Sequence, residues 1–237
     1  MDEDATPTAA DVPAEAPPLA VDIDGTLTDD DRAVDPRVFP VLREWPAPVV
    51  VATGKAIPYP VALCEFLRID PLVIAENGGV VLSGYDGEFQ HLGDRAGADA
   101  VARDYRAAGH DLGWGGADLV NRWRETEVAV SRESPLEPLE GLAAEYGLSV
   151  VDSNYAYHVV APDVDKGRGL ATLAESLGLS AGEFVAVGDS ENDAPLFERV
   201  DRAVAVANAD DRALAAADHV TEASYAAGFL EAVDRLG

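Results

Sequence analysis

Two carboxylates, Asp22 and Asp24, follow a short apolar run, Leu19-Ala20-Val21, and lead into Gly25-Thr26-Leu27-Thr28. Side chains alternate along a strand, so both acids leave its end on the same side. Two acids at such close range repel, and the arrangement needs a cation or a proton to relieve it. The spacing therefore suits a metal-bound aspartate nucleophile with a second acid beside it; the plain alternative is an acidic turn after a strand. Three further polar clusters follow apolar runs or open helices: Thr53-Gly54-Lys55, Lys166-Gly167 and Gly188-Asp189-Ser190-Glu191-Asn192-Asp193. Lys55 and Lys166 are the only lysines among 17 basic residues. A chain that otherwise uses arginine has a reason for each lysine it keeps.

The elements that must position these groups read as strand, helix, strand, helix, strand. Leu19–Val21 is a strand. Pro36 opens a helix running to about Trp45, and Pro48–Ala52 is a β-branched buried strand. A helix covers Pro58–Arg68, with Leu63, Phe66 and Leu67 on one side. Leu72–Ala75 is a third strand, and Gly78-Gly79 turn it into a hairpin arm at Val80–Leu82. Beyond Gly84 the pattern changes to helix (Asp94–Ala108), strand (Asn121–Arg132, with Trp123, Val128 and Val130 as its apolar members), helix (Pro135–Tyr146) and two strands (Leu148–Val151, Tyr155–Val160) joined by Asp152-Ser153-Asn154. The first pattern resumes with a helix at Gly167–Leu177, a strand at Phe184–Val187, a helix start at Pro195–Glu198 and a strand at Ala203–Val206. The expected fold is α/β: a doubly wound, mostly parallel sheet with an inserted smaller α+β cap domain. The expected divisions are a disordered acidic tail at 1–18, core at 19–83, cap at 84–159 and core at 160–237. In open α/β sheets ligands bind beyond the carboxyl ends of the strands, so the polar clusters should converge there.

The chain has 237 residues, 48% of them hydrophobic, and a formal net charge of −27. Such a surface repels nucleic acid and anionic membranes at ordinary salt. At about 1 M salt the Debye length is only about 3 Å, so the self-repulsion largely disappears and the composition fits a salt-adapted, cytoplasmic protein. No apolar run reaches the ~18 residues of a membrane span. The single cysteine, Cys64, excludes an internal disulfide and reads as a small hydrophobe on a helix. Whether the chain is a monomer or a homodimer is not legible.

Asp22-Ile23-Asp24-Gly25-Thr26, Thr53-Gly54, Lys166-Gly167 and Gly188-Asp189-Ser190-Glu191-Asn192-Asp193 resemble, in order, the four signatures of the haloacid dehalogenase superfamily. The insert between the second and third is similar to the type IIB cap of its Cof-like branch, and so is Ala207-Asn208-Ala209 after a strand. The resemblance implies a Rossmann-like core, Mg²⁺ as cofactor and a small phosphorylated metabolite as substrate. Asp22 is then the nucleophile, and Asp24 the acid and base. Thr53, Gly54, Lys55 and Lys166 bind the phosphoryl group, and Asp22, Asp24 (through its carbonyl), Asp189 and Asp193 hold the metal. The short chain and small cap look most like archaeal phosphoglycolate phosphatases, with sucrose-phosphate and mannosyl-phosphoglycerate phosphatases as relatives. A phosphomutase, or a receiver-like domain that keeps its phosphoaspartate, are the competing classes; the second acid and the cap speak against a receiver. In the insert, His158, Arg122 and Arg124 could meet a substrate carboxylate, or they are charge on a small sheet; His158 reads as a satisfied structural histidine. Glu76-Asn77 and Asn208 read as turn residues, and Asn192 as a residue that orients its loop.

Overall fold

The computed structural model describes residues 15–153 and 155–236. The first half of the chain forms β1 (Leu19–Val21), α1 (Val38–Glu44), β2 (Val49–Ala52), α2 (Pro58–Leu67), β3 (Leu72–Ala75), β4 (Val80–Ser83), β5 (Phe89–His91) and α3 (Arg95–Ala107). Then come β6 (Val128–Ser131), α4 (Leu136–Glu145), β7 (Ser149–Asp152), β8 (Ala156–Val160), α5 (Lys166–Ser176), β9 (Val185–Gly188), α6 (Ala194–Phe197), β10 (Arg202–Ala205), α7 (Asp211–Ala216), β11 (His219–Val220) and α8 (Tyr225–Asp234). Eight strands form one sheet in the order β11-β10-β9-β1-β2-β3-β4-β5. β1, β2, β3, β9, β10 and β11 run parallel; β4 and β5 are antiparallel additions at one edge.

Helices cover both faces. Leu19 and Val21 pack with Val187 and Val204 against Leu42 of α1 and Phe229 of α8. The alternate residues Ala20, Val50, Ala52 and Ala186 pack against Leu170 and Leu173 of α5 and Phe197 of α6. Burial on both faces is why these strands are continuous apolar runs rather than alternating ones. A second sheet, β6-β8-β7, is antiparallel. With α3 and α4 it encloses its own core of Val101, Tyr105, Val128, Val130, Leu139 and Val159, an inserted α+β layer as the patterning predicts.

Several expectations are corrected. The large sheet continues past residue 84, since β5 pairs with β4; the turn residues of Gly84–Gly87 mark a hairpin, not a boundary. Residues 1–14 of the expected tail lie outside the described residues, but Ala16, Pro17 and Pro18 belong to the fold. The Trp45 indole donates to the Pro17 carbonyl (2.9 Å), the Val185 N–H to that of Pro18 (2.8 Å), and Ala16 packs on the core. The strand expected over 121–132 is only β6. Ahead of it the Asn121 amide bonds Asp118 and the Arg124 Nε donates to the Val120 carbonyl, so the chain turns instead of extending, and Trp123 is exposed. Phe66 lies outside the core face of α2, whereas Leu67 is fully buried. Asn154 of the expected tight turn lies outside the described residues.

Candidate active site

Val21 of β1 is in register with Val51 of β2 on one side and Val187 of β9 on the other. The loops after these three strands therefore leave the sheet side by side, with β1 at the point where the strand order switches direction. Crevices for ligands form at such points. A cavity of about 370 Å³ opens there, lined by Asp22, Asp24, Thr53, Gly54, Lys55 and Asp189 from the core and by Arg124, Ser153, Tyr155 and His158 from the insert.

The loop after β1 is held tightly. Gly25 adopts φ +80° and lies so close to Asp189 that a Cβ there would sit 2.2 Å from its carboxylate. Only glycine satisfies both demands. Thr26 Oγ1 donates to Asp189 (3.1 Å) and the Asn208 amide donates to the Gly25 carbonyl (3.0 Å), so Asn208 is a turn residue as expected. Thr53 is buried, and its Oγ1 accepts from the Lys55 N–H (3.1 Å), leaving the hydroxyl proton for a ligand. Lys55 does not point at the buried acids. Its ammonium sits 2.9 Å from Asp24 at the cavity mouth.

Lys166 opens α5, capped by the Asp165 side chain. Gly78, at φ +103°, presses against this helix start: a Cβ there would meet the Asp165 carbonyl at 2.0 Å. Lys166 itself is fully buried and donates to Asp22 Oδ1 (2.8 Å) and Asp193 Oδ1 (2.7 Å). Burial opposes its charge, but Asp193 and Asp22 outweigh that and raise the ammonium above its ordinary value. Lys166 and Asp193 thus stand behind the cavity wall, not on it.

Asp22, Asp189 and Asp193 each offer an oxygen within 4.8 Å of the others, a cluster that could hold a metal ion. Their chemistry fits a hard divalent cation. Burial, with Asp193 and Asp24 nearby and only Lys166 opposing, pushes the Asp22 carboxyl up to about 7. Burial, with Asp22 and Asp193, pushes Asp189 up to about 9. Such crowding is what a bound cation relieves. The Asp24 side chain stands apart from this cluster and is committed to Lys55. Asp193 is the most internally used of the three, since its Oδ2 also accepts from the Asp189 and Ser190 N–H groups (3.0 and 3.1 Å).

The sign of the linkage is testable. Both carboxyls have folded-state values above the ordinary one of 3.8. Their contribution to stability is therefore complete below that value and is lost as pH rises through about 7 and about 9 in the metal-free protein. In thermal melts after chelation, added divalent cation should raise the Tm more at about pH 8.5 than at about pH 5.5, because at low pH it must displace protons. An equal gain at both would contradict the crowding.

A polar network that sequence reading reached only in part joins insert to core. Fully buried Glu76 accepts from the N–H groups of Glu125 (2.7 Å) and Thr126 (2.8 Å) and from the Thr126 hydroxyl (2.7 Å). The Asn77 amide donates to Glu127 (3.0 Å) and accepts from Asn192 of the loop after β9 (2.9 Å). Asn192 thus orients its loop, as expected. Glu127 also binds the Arg124 guanidinium and His158 Nδ1. Burial favours its neutral form, yet His158 and Arg124 overcome that and keep the carboxyl below its usual range. His158 is tied at both ring nitrogens, the other meeting Ser153 Oγ at 2.9 Å, and is the structural histidine the sequence suggested. Arg122 lines a different surface depression. Glu127 was missed because it reads as one more acid in Arg124-Glu125-Thr126-Glu127; its one signal is that Val128 to Val130 follow it directly.

A doubly wound sheet, an α+β insert after its third parallel strand and a carboxylate pair at the switch point place the molecule in a known class. The chain belongs to the haloacid dehalogenase-like hydrolases, whose family profile matches residues 19–96 and 134–233; it is a hydrolase of that family. Over 220 residues it is 61% identical to the phosphoglycolate phosphatase of Haloarcula marismortui, covering 93% of this chain and 97% of that one. It is 60% identical over 218 residues to the phosphoglycolate phosphatase of Natronomonas pharaonis (92% and 96% covered). A solved structure from Thermoplasma acidophilum superposes with a TM-score of 0.78 at 27% identity, covering 93% of this chain and 98% of that one.

Proposed function

We propose that the chain hydrolyses a small phosphomonoester, 2-phosphoglycolate first among candidates, with Mg²⁺ and an aspartyl-phosphate intermediate. The observation that carries this is the placement of Asp22: one carboxylate oxygen is held by buried Lys166 and the residue faces a small cavity with Asp24 and Thr53. Lys166 occupies Oδ1, so Oδ2 is the oxygen free to attack phosphorus. Attack forms the Oδ2–P bond and breaks the bond from phosphorus to the ester oxygen; Asp24 gives that oxygen its proton and the alcohol leaves. Asp24 then takes a proton from water, the resulting hydroxide attacks phosphorus, and the Oδ2–P bond breaks to restore Asp22 and release phosphate. The carboxylates of Asp22, Asp189 and Asp193, with the Asp24 carbonyl, would hold Mg²⁺, which would supply positive charge for the phosphoryl oxygens. Thr53 and the Gly54 backbone donate to the same oxygens, Lys55 holds Asp24 in place, and Lys166 neutralises Asp22. The names of the two halophile relatives support the substrate. The net charge of −27 supports a requirement for high salt.

The test is a phosphate-release screen over a panel of phosphorylated metabolites in concentrated KCl, with and without MgCl₂. Magnesium-dependent release that is greatest from 2-phosphoglycolate is expected. Release without any divalent cation would refute the metal; a preference for sugar phosphates would refute the substrate while leaving the chemistry.

A further inference from the structure

The cations around the cavity are unequally committed. Lys166 is spent on Asp22 and Asp193, Lys55 on Asp24, and both nitrogens of His158 are bonded. Arg32 stands at the mouth, half exposed, 4.0 Å from Asp24 and stacked over the Tyr155 ring. Arg124 differs from all of these. Its Nε donates to the Val120 carbonyl (3.1 Å), and its Nη1 donates to the Gly54 carbonyl (2.9 Å) and binds Glu127. Nη2 has no partner among the described residues. Yet no buried side-chain nitrogen among them lacks one, so Nη2 holds part of the 3% of this side chain that stays exposed, in a residue that lines the cavity.

We propose that Arg124 is the specificity-determining residue for a carboxylate carried by the substrate close to its phosphoryl group. This rests on the phosphomonoesterase reading above and narrows it to phosphate esters of short hydroxy acids. Three of the guanidinium's hydrogen bonds fix its plane before any ligand arrives, so little entropy is lost when Nη2 takes an anionic oxygen. The bond to Gly54 sets it against the loop that receives the phosphoryl group, on the insert side of the cavity, where the organic part of the ester must lie. An alkyl group at that place would leave the Nη2 donors without a partner, which is how a polar site rejects an analogue.

The experiment compares 2-phosphoglycolate, its neutral amide and ethyl phosphate as substrates for the unaltered enzyme and for Arg124→Lys and Arg124→Gln. The unaltered enzyme should favour 2-phosphoglycolate over the other two by roughly 10²-fold in kcat/KM. In both variants that preference should collapse to within a few-fold, with kcat/KM falling far more for 2-phosphoglycolate than for ethyl phosphate. Parallel loss on all three substrates would overturn the assignment, since Arg124 would then serve the phosphoryl group or the fold. Selective loss in Arg32→Ala instead would move the role to the mouth. If neither Arg124 variant folds, a crystal structure of the unaltered enzyme with the non-hydrolysable analogue 3-phosphonopropionate decides: the carboxylate on Nη2 supports the proposal, and the carboxylate elsewhere overturns it. Turnover of 2-phosphoglycolate without preference over its amide defeats only Arg124. No turnover of it, with other esters hydrolysed, defeats the substrate reading as well.

Discussion

Asp22→Asn should abolish phosphate release and leave the chain folded. The substitution keeps the oxygen that accepts from Lys166 at 2.8 Å, so the buried ammonium retains an acceptor, and the crowding among Asp22, Asp189 and Asp193 falls. What is lost is a nucleophile: an amide oxygen does not form the acyl phosphate. Removal of a nucleophile costs roughly 10⁴- to 10⁶-fold in kcat. Phosphate release under saturating substrate, with circular dichroism melts alongside, checks both halves. Residual turnover within about 100-fold of the starting enzyme would remove Asp22 from the centre of the mechanism.

Lys166→Met should damage stability and chemistry together. The side chain is fully buried between two carboxylates, and Met fills similar volume without countercharge. Breaking a buried ion pair by removing one partner costs about 3–5 kcal/mol. Here Asp22 and Asp193 both lose their cation, so protonation or a metal must compensate. Denaturant midpoints should drop accordingly and recover in part on adding divalent cation. Turnover should fall by roughly 10²- to 10³-fold, as when an electrostatic donor is removed from a reacting centre. A variant as stable as its parent would mean that the two carboxylates are relieved by something other than this lysine.

Much of this was legible from residue order alone. The parallel strands announce themselves because both faces are buried, leaving runs such as Val49-Val50-Val51-Ala52 with no polar break. Asp22, Thr53, Asp189 and Asp193 come together because strand register brings their loops side by side, and Lys166 reaches Asp22 and Asp193 from the start of α5. Asp24 and Lys55 also come together, but with each other rather than with the metal cluster. The edge hairpin and the segment before β6 were misread for a local reason. The Ser83 hydroxyl that brackets Gly84–Gly87 accepts from the Glu88 N–H, and within Asp118–Arg124 the Asp118 and Arg124 side chains bond nearby backbone; such bonds override the periodicity that strand recognition depends on. Glu127, and the bonds that fix Arg124 (named from the sequence only as one of three groups that could meet a substrate carboxylate), were out of reach for a different cause. Their partners lie in the core layer, at Gly54 and Asn77, or on the neighbouring strand of the insert, at His158, and nothing in the spacing of charges along one chain encodes such contacts.

The lysine sealed between two acids has one more implication. Mobile ions screen exposed charges far better than buried ones; Lys166 and Asp193 are fully buried, and Asp22 opens only onto the cavity. Brine should therefore act on the strongly acidic surface, and so on how many molecules are folded, far more than on this triad.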